Sequence, residues 1–155
     1  MTVAKARGKP PLVRYEDDVL LWAQQQADLL RAKQFADLDL EHLADEIEDV
    51  GKSEKRELAS RMSVLLAHLL KWRFQPNLRS TSWRTTIGLQ RQRIALALKA
   101  TPSLKATLRE SDWREGVWLD AVAHAAKETG RPEDDFPASS PWPYDRACEP
   151  DFWPD

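Results

Sequence analysis

The sequence predicts an all-α protein, an antiparallel helical bundle of about four main helices with one long central helix and an extended Pro/aromatic C-terminal tail. Three observations carry this. Apolar residues at Leu40, Leu43, Ile47, Val50, Leu58, Met62, Leu65 and Leu69 are spaced by three, four or twice four, which is one face of a helix. The chain has only 5 glycines, and its 10 prolines gather towards the two ends, which leaves room for long helices. No pair of alternating apolar and polar runs carries a hairpin signal.

Taken in order, residues 1–14 (MTVAKARGKPPLVR) lack the apolar stretch of a secretory signal and read as a flexible basic arm. The bundle itself is expected over 15–130, and the tail over 131–155. A first helix is predicted from Glu16 to about Gln34, with Glu16, Asp17 and Asp18 at the positive end of its dipole. The short link Phe35–Asp37 makes the next helix an antiparallel neighbour. That second helix runs from Leu38 to Phe74, with Asp39 as N-cap and Pro76 beyond its end. The apolar spacing stays in phase across Gly51. This favours an unbroken helix over one that ends at Val50 with Ser53 capping a successor. A third helix is predicted from Trp83 to Ala100, and a short one from Thr101-Pro102 through Arg109. Asp112 and Glu115 read as a capping box for a fourth long helix, Trp113 to Thr129, stopped by Gly130 and Pro132. The remainder has six prolines, yet Phe136, Trp142, Tyr144, Phe152 and Trp153 argue against disorder. It is expected to pack in extended form, with one helical turn near Tyr144 to Cys148.

The net charge of −2 hides a division. Residues 1–51 hold 6 basic against 11 acidic side chains, 52–105 hold 12 against 2, and 106–155 hold 5 against 12. The single Cys148 excludes an internal disulfide, so a cytoplasmic location is expected. No run reaches the ~18 apolar residues of a membrane span.

The stretch FADLDLEHLADEIEDVGKSEKRELASRMSVLLAHLLKW, the SWR that follows at Ser82, Trp83 and Arg84, and the ending DFP…PYD…DFWP together resemble domain-of-unknown-function family 29. The matching positions are Leu38, Asp39, Glu46, Ile47, Glu48, Gly51, Glu54, His68, Lys71, Trp72, Ser82, Trp83 and Arg84. The likeness covers nearly the whole chain from about residue 14. It implies an all-α bundle of cytoplasmic bacterial origin and no assigned activity, so there are no catalytic residues to carry over.

Two groups of residues are candidates for function. Gln26, Glu54, Arg61, Arg91, Asp120 and His124 fall where helical seams should be apolar. If they meet, the bundle has an interior polar layer, either a salt-bridge layer that fixes register or a ligand pocket. A shared metal site for His42 and His68 is excluded, because 26 residues of helix separate them by roughly 39 Å. At most, Glu54, Asp120 and His124 could hold an ion. Secondly, Lys71, Trp72, Arg73, Arg79, Trp83, Arg84 and Arg93 interleave basic and aromatic residues, as a nucleic-acid surface does. No nucleophile elbow, Walker loop or GxGxxG is present, and no catalytic residue, metal or cofactor is expected. Charge segregation and exposed tryptophans near the tail favour a non-enzymatic interaction or scaffold protein with a protein partner or a second copy. Nucleic-acid binding is the first alternative, and a small ligand- or metal-binding hydrolase-like bundle the second.

Overall fold

The computed structural model describes residue 8 and residues 10–155. Among the described residues the fold is all-α, with no strand and six helices. These are α1 (Val19–Arg31), α2 (Leu40–Phe74), α3 (Thr81–Ala100), α4 (Leu104–Thr107), α5 (Ser111–Thr129) and α6 (Tyr144–Ala147). Helix α2 passes through Gly51 without a break, as its in-phase spacing predicts. The chain divides after Val50 into two compact units, described separately below.

In the first unit, α1 starts later than expected because Asp18 is its N-cap. The Asp18 carboxylate accepts from the Leu21 amide at 3.0 Å, leaving Glu16 and Asp17 before the helix instead of in its first turn. Its end is a Schellman-type turn, Gln34 N–H to Leu29 O, with Lys33 in the left-handed position that glycine usually takes. The buried face holds Trp22, Gln25, Gln26 and Leu29. Two of these four are amides, and both are satisfied. Gln25 accepts from the Val13 amide at 2.8 Å and donates to Pro11 O at 2.9 Å. Gln26 accepts from the Asp39 amide at 2.8 Å. Of the basic arm expected over 1–14, residues 1–7 and 9 lie outside the described residues, while Pro11 and Val13 are held to α1 by Gln25.

The second unit is built on the later part of α2. From Leu65 to Trp72 every residue except His68 is buried, an apolar surface all round that requires neighbours on every side. Those neighbours are Ile87 and Ile94 of α3, Val117, Trp118, Ala121, Val122 and Ala125 of α5, and Phe136, Trp142, Tyr144 and Ala147 from the tail. The tail is fastened by polar contacts as well. Trp118 Nε1 donates to Pro137 O at 2.9 Å, and the Tyr144 hydroxyl donates to Arg114 O at 2.8 Å. Gly130, at φ 69°, ends α5 in the left-handed conformation.

In the second unit three boundaries differ from the sequence prediction. Helix α3 begins at Thr81 because the Ser80 hydroxyl caps the Trp83 amide at 3.2 Å. Helix α4 is only one turn, with Pro102 before it. Helix α5 starts at Ser111 with Glu110 as a cap whose side chain makes no capping bond, so Asp112 is not the capping-box residue. It sits inside the first turn, where its charge still favours the dipole.

Candidate interaction surface on the first half of the long helix

The apolar seam of α2 meets two fates. Leu58, Met62, Leu65 and Leu69 are buried, but Leu40, Ile47 and Val50 are 68%, 71% and 65% exposed. Leu43 is half-buried. At spacings of three, four and three these four residues form a stripe about three turns long. Their neighbours on the helix, Glu41, Asp45, Glu46, Glu48 and Asp49, are all acidic, with no Lys or Arg between Leu40 and Val50.

A polar network holds the start of this helix. Asp39 accepts from the Trp22 indole at 3.0 Å and from the His42 amide at 3.4 Å, and its carboxylate lies 2.7 Å from His42 Nδ1. Tyr15 stacks on the His42 ring at 4.4 Å and donates to Glu46 at 2.5 Å. Glu16 lies 3.3 Å from His42 Nε2. The Asp39 hydrogen bond and the surrounding carboxylates raise the His42 pKa above its ordinary value, despite some desolvation. Partial desolvation works against ionised Asp39, but hydrogen bonds from His42 and Trp22 bring its pKa below the usual carboxylate value. The network fixes one side of α2 and leaves the stripe uncovered.

The six residues of the expected polar layer do not come together. Gln26 is buried in the first unit, on the Asp39 amide. Glu54 is exposed, because burial on α2 begins only at Leu58. Arg61 is half-buried and pairs with Glu57 at 2.7 Å. Asp120 and His124 are exposed on α5, and His124 lies 3.0 Å from Glu128. The seam reading misplaced them because Trp118 and Val122 pull the buried face of α5 round to the opposite side. Arg91 is buried as expected, yet it meets no carboxylate. It donates to three tail carbonyls, Ala147 O at 2.9 Å, Pro150 O at 3.3 Å and Phe152 O at 2.6 Å, and lies over the Trp153 ring. Among the described residues no group of three or more His, Cys, Asp or Glu side chains is placed to hold a metal ion.

The basic and aromatic residues also separate. Lys71 is buried against Glu128 and lies over the Trp83 ring at 5.0 Å. Trp72 is buried, with Arg79 and Arg84 each 4.9 Å from its ring and Trp153 at 4.6 Å. Arg79 also donates to Trp72 O at 2.8 Å. Arg73 leans on Phe74, while Arg93 lies in a different place, beside a groove of about 300 Å³ with Glu54, Glu57 and Leu96. The tail tryptophans are not free either: Trp142 is buried and Trp153 is half-buried against Trp72.

Sequence reasoning missed Gln25, Glu128 and, above all, the exposure of the stripe. A signal for the last was present. Residues 40–50 carry apolar side chains on one narrow face only, whereas 65–72 carry them all round.

No helix among the described residues is long and apolar enough to cross a membrane. No curated protein and no solved structure matches the chain. One family does match, over residues 14–153, with the seam, the SWR segment and the aromatic ending all inside that span; the chain belongs to the family described as domain of unknown function DUF29.

Proposed function

We propose that this chain is a cytoplasmic bacterial protein-interaction module, and that it docks its partner on the stripe Leu40, Leu43, Ile47 and Val50. The supporting observation is the exposure of three large aliphatic side chains on one face of a well-anchored helix. Scattered surface leucines need no explanation, but a contiguous apolar row marks an interface. The predominantly acidic setting, without Lys or Arg, narrows the reading. An amphipathic helix that lies on a membrane carries Lys and Arg on its polar face, and phosphate backbones demand the same. This surface repels both. A nucleic-acid site in 52–105 is less well supported, since the Trp72 face that a base would stack on is taken by the chain's own arginines.

The test is a photo-cross-linking amino acid placed at Ile47 in cells, with Asp120 on α5 as the exposed control position. A discrete adduct from position 47 and none from position 120 is expected. No adduct at position 47 overturns the reading.

A further inference from the structure

The geometry points to a second copy of this chain as the occupant of the α2 stripe, with the exposed face of α3 as the surface that meets it. This inference rests on the interaction reading above and names its partner.

The argument starts from α3. Leu89 and Leu96 are 43% and 65% exposed and stand seven residues apart, so they share one face. Exposed Arg93 and Lys99 flank them, and neither has a carboxylate partner within 4.0 Å among the described residues. The whole of α3 carries Arg84, Arg91, Arg93 and Lys99 and no acidic residue. Residues 40–50 of α2 are the converse, with five carboxylates, no Lys or Arg, and one histidine, His42, which is engaged by Asp39 and Glu16. Across the groove beside Leu96, Glu57 is already bonded to Arg61, which leaves Glu54 as the one acidic neighbour without an ion pair there.

The chain thus presents two apolar helix faces of similar pitch and opposite charge. Stripe against stripe would bring two predominantly acidic surfaces together, which is electrostatically opposed. Stripe against α3 buries apolar on apolar and sets carboxylates beside Arg93 and Lys99. A contact between two different faces also gives each copy one of each to offer, so any copy can meet another through either face.

The experiment is sedimentation of the purified full chain from about 1 to about 500 µM, a range that covers modest affinities. Ile47→Glu and Leu96→Glu are compared with the parent; both positions are exposed, and circular dichroism checks that helicity is unchanged. The parent is expected to self-associate, less so as salt rises. Each variant alone is expected to be monomeric. An equimolar mixture of the two should associate at least tenfold more strongly than either alone, because one intact stripe then meets one intact α3 face.

Persistent association of Leu96→Glu would overturn α3 as the partner surface. A monomeric parent at the highest concentration would overturn self-association. The wider reading fails separately: if the cross-linker at position 47 still captures a different protein, only the identity of the partner is wrong.

Discussion

The two units solve the same problem with different chemistry. Among the large apolar side chains of its described residues the first unit buries only Trp22 and Leu29, while exposing Leu12, Val19, Leu20, Leu30, Phe35, Leu40, Ile47 and Val50. Its order comes from the hydrogen bonds of Gln25, Gln26, Asp39 and Tyr15. The second unit buries an apolar core around α2 and uses polar contacts mainly to fasten the tail. One helix serves both units, so the difference lies in what covers it. On the proposed reading, a surface kept for a partner is not also used to fold, and the polar network does the folding in its place.

The largest expected effect tests this contrast directly. Leu65, fully buried, should cost about 2–5 kcal/mol when changed to Ala, through lost transfer energy and the cavity left behind. The Ile47→Ala change should stay within about 0.5 kcal/mol at a concentration where the chain is monomeric. Urea unfolding of both variants measures the difference, and equal losses would break the comparison.

Next comes Gly51→Ala. A Cβ there meets nothing within 4 Å, and the position is helical. The change should stabilise α2 by about 1 kcal/mol, seen as a higher urea midpoint.

The smallest effect is a matter of pH, and its sign differs between the units. The folded state holds the His42 proton more tightly than the unfolded chain does. Its contribution is therefore full below the ordinary value of 6.5 and is lost as pH rises through the higher folded value. His68 is the reverse. Burial pushes its pKa down, outweighing the Val64 carbonyl at 2.8 Å, so its contribution is present above 6.5 and fades as pH falls through the lower folded value. Amide exchange should show residues 39–46 losing protection as pH rises above the ordinary histidine value while residues 64–72 hold or gain it. His42→Gln should flatten the first trend only.

Much of this fold was legible in the sequence. Each main helix announced itself by period, and Gly130 and Pro76 marked two ends correctly. Burial was harder. Period identifies a face but not whether it is covered, which is why Leu40, Ile47 and Val50 read the same as Leu58 and Met62 by spacing; the narrowness of the 40–50 face was the remaining signal. The site residues failed for a related reason. Asp120 and His124 obey the spacing of α5, yet the larger Trp118 and Val122 set its orientation. Arg91 was found as a buried cation, but its backbone partners lie in the tail, and carbonyls carry no mark in a sequence.

The reach of Arg91 has a consequence for how the chain is made. Its three acceptors lie 56, 59 and 61 residues further along. At roughly 5–20 residues per second, synthesis needs about 3–12 s to deliver the last of them. During that interval the guanidinium lacks its acceptors, and the side of Trp72 that Trp153 later covers stands bare. The nascent second unit therefore keeps apolar surface uncovered until residue 153 emerges. The side-chain hydrogen bonds of Gln25, Gln26, Asp39 and Tyr15 in the first unit find their partners within the first 50 residues, so that network can close long before.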